Sequence, residues 1–264
     1  MKPALFSLIG ATAFAFSLAL AHAHPFGDAH LHALPTGAPP LMEHASVPNN
    51  VRTLLIQKCA DCHSENTHAP WYSNFAPASW LMERDIIEGR KHMNLSSWET
   101  LTPDQQQTLI AKIVQQTHSG AMSPPQYRII HWNARITDAD QQSLTTWARN
   151  TSSGDAPNTS TTSPANANQG RAIYMRRCIG CHSFDRNLEG PSLTGIYGRV
   201  SGTVPHFEYS DALKKAHITW SEESLDRWLA DPDALVPGNN MEFHVAKPDE
   251  RRHLIAFLKQ LPAR

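Results

Sequence analysis

Cys59-Ala60-Asp61-Cys62-His63 and Cys178-Ile179-Gly180-Cys181-His182 are two copies of one spacing, C-x-x-C-H. Two intervening residues put both sulfurs on one helical turn, and the histidine that follows points at what they hold. This arrangement suits covalent capture of a haem. The thiols add to its vinyl groups, and His63 or His182 takes the iron as proximal ligand. A single copy also fits a thioredoxin-like redox pair or half a zinc site. Here the second copy uses every thiol of a chain with four cysteines, leaving no disulfide to explain. A zinc site built from both pairs fits the count, but pairs this far apart across a floppy segment make no compact ribbon. The expected cofactors are two covalently bound haem c groups.

Helix signals surround both motifs. Asn49 or Asn50 can cap a helix that carries Leu54 and Leu55 into Cys59. Pro77 fits the first turn of a second, running through Trp80, Leu81, Ile86 and Ile87 to Gly89-Arg90. Thr102 followed by Pro103 opens a third, where Leu109, Ile110, Ile113 and Val114 recur at helical spacing and Gly120 gives the stop. Thr137 caps a fourth, with Leu144 and Trp147 on its buried stripe. Continuous strand alternation is absent. The expected fold is all-α, two small haem domains joined by a flexible linker.

The remaining sequence bounds the reading. A length of 264 residues suits about two domains. A hydrophobic content of 41% with 18% charged residues excludes a wholly disordered or fibrous chain. Lys and Arg number 23 against 24 Asp and Glu, so there is no basic field of the kind nucleic acid requires. Residues 1–23 read as a signal peptide: Lys2, an apolar run from Ala4 to Leu20, then Ala21-His22-Ala23 as the cleavage pattern. A periplasmic location follows, with no stable membrane insertion after cleavage. Residues 24–48 read as a flexible leader holding His24, His30, His32 and His44 among five prolines. Such a tract can bind metal, and an amino-terminal His24 could chelate copper with its own amine. No carboxylate or cysteine completes a ligand set, so a solvated leader is expected. Residues 49–150 form the first domain. Residues 151–169, dense in Ser, Thr, Asn, Ala and Pro, form the linker and offer nothing to dock the halves together. Residues 170–264 form the second domain.

The second domain resembles class I cytochrome c on GRAIYMRRCIGCHS, GPSLTGIYGRVSGTVPHFEYSDALKKAHITW, LDRWLADPDALVPGNNMEF and RRHLIAFLKQL. The resemblance implies that His182 is the proximal ligand, its ring N–H directed at the Pro191 carbonyl. It makes Met241 the distal thioether and places Arg199, Tyr209 and Trp220 on the haem propionates. It also packs Gly170 and Tyr174 on the first helix against Leu254 and Phe257 on the last. Read alone, Met241 is a loop methionine of the kind that more often fills a core. Leu213 and Trp228 stand where mitochondrial members often carry Asn and Tyr, which implies a reduced polar network behind Met241.

The first domain resembles the small secreted haem-binding domains of bacteria on CADCHS, HAPWYSNFAPASW, DIIEGR, NLSSW and SGAMSPPQYRIIHWNARIT. His63 follows from the motif as proximal ligand. Met122, in a Gly-x-Met loop before Pro124-Pro125, is the candidate distal ligand; His131 is its rival, with His92, Met93 and His118 behind. The family usually reads Met-Pro-Pro, and here Ser123 is inserted. Trp71, Tyr72, Trp80 and Trp98 are expected to wall the haem. The expected function is a periplasmic dihaem c-type cytochrome moving single electrons between protein donors and acceptors. Two alternatives stand beside it. One is a dihaem peroxidase-like enzyme with an open first haem, for which His131 or His118 could act as acid or base. The other is a haem-based redox or gas sensor with a labile Met122.

Overall fold

Thr102 shows how directly a helix start follows from local chemistry. In the computed structural model, which describes residues 2–31, 42–43, 45–153 and 164–262, the Gln105 amide donates to Thr102 Oγ1 at 3.3 Å. The Thr102 amide donates back to Gln105 Oε1 at 2.9 Å, so two otherwise orphaned donors are satisfied. Ser221 and Ser224 close the same reciprocal box at a later helix.

Twelve helices follow in chain order among the described residues: α1 (Lys2–Leu20), α2 (Asn49–Lys58), α3 (Ala60–His63), α4 (Ala78–His92), α5 (Pro103–His118), α6 (Pro125–Ile130), α7 (Asp138–Ser153), α8 (Ala167–Arg177), α9 (Asp211–Ala216), α10 (Glu222–Ala230), α11 (Pro232–Leu235) and α12 (Pro248–Leu258). These residues hold no strand, and one isolated antiparallel bridge joins Val200 to Thr219. The fold is all-α. Pro48, not Asn49, takes the cap position of α2, because its φ of −54° already sets the turn. Pro77 likewise precedes α4. The short α6 escapes periodicity analysis, although Pro125 at its first position is a start signal. Helix α7 runs to Ser153 and α8 begins at Ala167, so both enter the stretch expected as linker; residues 154–163 lie outside the described residues.

The chain divides into two compact units, one reaching Thr100 and the other from Leu101 to Arg264. In the first, α3 packs on α4 and α2 on α3. Val51, Leu54 and Leu55 on α2, Ile86 on α4, and Leu95 and Trp98 are buried, each large side chain contributing about 1.5–3 kcal/mol. Ala29 and Leu31 join Ile86 in one cluster with Cys62 and Ile87 against it. Residues 24–31 therefore include a packed segment where a solvated leader is expected; His32 and His44 lie outside the described residues. Ser17 Oγ donates to the Ala76 carbonyl at 2.7 Å, and Trp80 Nε1 to the Leu20 carbonyl at 2.9 Å. No helix among the described residues is long and apolar enough to cross a membrane.

In the second unit α5 packs on α7 through the buried Ile110, Ile113 and Val114 and the buried Leu144 and Trp147. Helix α8 crosses α12 so closely that a Cβ on Gly170 would lie 1.9 Å from the His253 carbonyl oxygen. Tyr174, Leu254 and Phe257 are buried in the resulting core with Leu225 and Trp228 of α10. Helix α5 also packs on α8. Asp104 and Gln107 of α5 bond Arg176 (3.2 Å) and Arg177 respectively. This contact differs from the expectation of undocked halves: α5, well before residues 154–163, and α8, just after them, carry complementary charge, which no local pattern displays.

Candidate functional site

Helix α8 delivers Cys178 to a cavity of about 410 Å³ in the second unit, also lined by Cys181, His182, Pro191, Arg199, Tyr209, Trp220 and Met241. That volume lies within the roughly 300–1,000 Å³ common for small-molecule and cofactor sites. The Cys178 carbonyl accepts the His182 amide at 2.8 Å, which winds the motif into a turn. His182 Nδ1 lies 2.9 Å from the Pro191 carbonyl, leaving Nε2 as the ring nitrogen for a metal. The ring fits its slot tightly. A Cβ on Gly190 would approach it to 2.2 Å, so that position admits no side chain. The Tyr174 hydroxyl donates to the His182 carbonyl at 2.6 Å and fixes the motif from behind.

Burial shapes the acid–base chemistry. It lowers the His182 imidazole below the ordinary histidine value, which keeps the ring neutral and able to ligate near pH 7. It pushes the Cys178 thiol up to about 12 and the Cys181 thiol up to about 11. Such surroundings favour uncharged sulfur, and a thioether is uncharged.

Met241 is presented by the Pro237-Gly238-Asn239-Asn240 loop. Asn239 Oδ1 accepts the Met241 amide at 2.6 Å while its Nδ2 donates to the Val236 carbonyl at 3.0 Å. Trp228 Nε1 donates to Met241 Sδ at 3.1 Å. The network behind this sulfur is thus not reduced as the missing tyrosine implies, because the indole supplies a donor. Arg199 gives its NH1 and NH2 to the Thr194 and Ser192 carbonyls, at 2.9 and 3.0 Å. The Tyr209 hydroxyl accepts the Val204 amide at 3.3 Å. Ala111 and Gln115 of α5 line the same cavity.

The first unit repeats the arrangement with different supports. The Cys59 carbonyl accepts the His63 amide at 2.9 Å. His63 Nδ1 lies 2.9 Å from the Gly89 carbonyl and 3.2 Å from that of Met93, both at the C-terminal end of α4, where the Gly89 carbonyl also accepts the Met93 amide at 2.9 Å. Burial lowers the His63 imidazole and pushes the Cys62 thiol up to about 11. Arg90 Nε donates to the Ser64 carbonyl at 2.9 Å and steadies the residue after the motif.

The family model for a haem-binding domain matches residues 19–150, and that for cytochrome c matches residues 167–262. The cytochrome c of Chlamydomonas reinhardtii is 43% identical over 36% of this chain and 88% of its own length. The chain belongs to the haem-binding-domain and cytochrome c families. Cytochrome c2 iso-2 of Magnetospirillum molischianum is 45% identical over 32% of this chain and 90% of its own length. Cytochrome cH from Methylobacterium extorquens, a solved structure, is 38% identical over 36% of this chain and 98% of its own, with a TM-score of 0.35. The cofactor class of this cytochrome c is haem, and its function class is haem-based electron transfer.

The residues of this cytochrome c fit the group. Each motif presents a partly buried, neutral imidazole tethered at Nδ1 beside two cysteines, and in the second unit a thioether lines the same cavity. The other sequence candidates have these surroundings. Met93 offers its carbonyl to His63. His92 and His118 are exposed. Met122 belongs to the second unit, 36% exposed, with its amide donating to the Gln116 carbonyl at 3.1 Å. His131 stacks on Tyr127, ring centroids 4.0 Å apart. Trp98 is buried, whereas Trp71 stands 77% exposed against Tyr72 and Phe75. Sequence reading missed the roles of Gly89 and of α5; a glycine inside the DIIEGR helix pattern was the available signal.

Proposed function

We propose that the chain is a periplasmic dihaem c-type cytochrome that passes single electrons between redox protein partners. The observation that supports it most is the repetition of one device: a C-x-x-C-H turn whose histidine is held at Nδ1 by backbone carbonyls, in each of two units. In this reading Cys59 and Cys62 hold one haem by thioether bonds, with His63 as its ligand. Cys178 and Cys181 hold the other, with His182 and Met241 as ligands and Arg199, Tyr209 and Trp220 toward its propionates. A bound haem supplies a one-electron Fe(III)/Fe(II) couple, and a Met/His pair raises its potential. The protein's own part is to keep both imidazoles neutral, hold the Met241 thioether on a fixed loop and exclude water with apolar walls. The apolar run before Ala21-His22-Ala23 supports export.

Intact mass after extraction of loose haem tests the reading. Two haems per chain are expected, and one or none overturns it. Low-temperature EPR of the oxidised protein tests the carrier role: two low-spin signals are expected. On the sequence, Met122 is the candidate second ligand of the first haem, so Met122→Ala should turn one signal high-spin while His131→Ala leaves both. A wild-type protein already high-spin at one iron and turning over peroxide would overturn the carrier reading in favour of a peroxidase.

A further inference from the structure

His24 meets the carboxylate of Asp28, four residues on, and that of Glu83, which its own sequence neighbourhood does not announce. Its Nδ1 lies 2.5 Å from Glu83 Oε1, a residue of α4 that is 1% exposed. Asp28 Oδ1 lies 4.0 Å from the same nitrogen. One ligand atom from each of the three residues falls within 4.8 Å of the others. The decisive feature is the second Glu83 oxygen. Oε2 is buried and has no hydrogen-bond partner. An unsatisfied buried polar atom costs about 1–3 kcal/mol, and more when charged. A histidine–glutamate pair satisfies Oε1 and leaves that cost standing.

A cation removes it. The donors are one imidazole nitrogen and two carboxylates, one of them dry and the other half in water. Such a mixture suits a first-row divalent transition ion, which takes imidazole and carboxylate together and tolerates an open position toward solvent. The segment is also held in place. Ala29, one residue beyond Asp28, is 1% exposed and packs with Ile86 of α4. Arg90 NH1 reaches the Ala29 carbonyl at 3.4 Å while its Nε holds Ser64, the residue after the first haem motif. His30 sits against Asp28, with its Nδ1 3.1 Å from Oδ2.

We propose that His24, Asp28 and Glu83 form a binding site for one divalent transition-metal ion, of the Zn2+ or Cu2+ class, separate from both haem sites. The three side-chain donors stand independently of the electron-transfer reading. A fourth donor rests on the export reading, because removal of the signal peptide after Ala23 frees the α-amine of His24 on the same residue.

The test uses the full haem-loaded protein, stripped of loose metal with a chelator, which leaves covalently held haem in place. Titration calorimetry with Zn2+ should show one site per chain, with Cu2+ binding more tightly in the order expected for N/O donors. Glu83→Gln keeps the shape and removes the charge, and should weaken Zn2+ binding by at least ~10-fold, the lower end of what loss of even an outer-shell partner costs. Asp28→Asn, in an exposed position, should weaken it too and carries the test where Glu83→Gln does not fold; an unaltered visible spectrum reports folding and haem loading independently of the metal. The combined substitution of His32 and His44 should leave the affinity unchanged. Absence of Zn2+ binding by the wild type overturns the proposal. So does an affinity indifferent to Glu83→Gln and Asp28→Asn, or one that follows His32 and His44.

Discussion

The indole Nε1 of Trp228 donates to the thioether sulfur of Met241 at 3.1 Å. A thioether has two lone pairs, so the indole can engage one while the other remains for a metal. A hydrogen-bond donor draws electron density from the sulfur and weakens its donation to Fe(III) more than to Fe(II). Trp228→Phe should therefore lower the potential of the second haem. A bond of about 1 kcal/mol corresponds to roughly 40 mV on the one-electron scale of ~59 mV per tenfold. Redox titration checks it; an unchanged or raised potential would show that the contact has no influence on the sulfur.

Gly190 leaves no room beside His182. A Cβ there would lie 2.2–2.7 Å from three atoms of the imidazole. Gly190→Ala should push the ring off the Pro191 carbonyl at a cost of about 1–3 kcal/mol or more. The expected outcome is a fall from two haems per chain toward one, with the first haem's spectrum retained. Full haem loading and a wild-type melting curve would contradict the packing argument.

The Tyr174 hydroxyl ties the α8 core to the His182 carbonyl. Tyr174→Phe removes that bond and should cost about 1 kcal/mol, a drop in Tm of roughly 2–4 °C for a unit of this size. Burial raises the phenol above its ordinary value of 10.0. Because the folded pKa lies above the unfolded one, the stabilisation is complete below pH 10 and is lost as pH climbs toward the folded value. Thermal melts from pH 8 to 11 should show a steeper alkaline loss for wild type than for Tyr174→Phe. Parallel curves would mean that another group governs the alkaline limb.

A protease site introduced at Gly154 should leave both pieces together at low salt. Arg176 meets Asp104 at 3.2 Å, Lys112 meets Glu189 at 3.5 Å and Arg149 meets Asp233 at 2.5 Å. Exposed pairs are worth only about 0–1 kcal/mol each and are screened by salt. Size-exclusion chromatography should thus show co-elution at low ionic strength and separation near about 1 M salt, where the screening length is roughly 3 Å. Separate elution at low salt would mean that the α5–α8 contact does not hold the pieces.

What could be read from the chain alone was local. The C-x-x-C-H turns occupy five residues each, the Thr102 box spans four, and the buried stripe of α5 repeats within one helix. Each is specified by neighbours in sequence, so spacing and residue type suffice. The Gly170 crossing was legible only through family resemblance, because nothing near Gly170 names Leu254 or Phe257.

What tertiary structure decided are contacts between segments. Gly89 serves His63 across 26 residues, Gln107 meets Arg177 across 70, and Glu83 meets His24 across 59. In a helix pattern Glu83 reads as a solvated charge; only the packing of residues 24–31 over α4 makes it dry, and burial is what changes its chemistry. Trp228 reads as the loss of a tyrosine, and only the fold shows its N–H on the Met241 sulfur. Residue type sets what a group can donate or accept. Which partner it finds, and how much water is left around it, is settled by chain segments meeting in space.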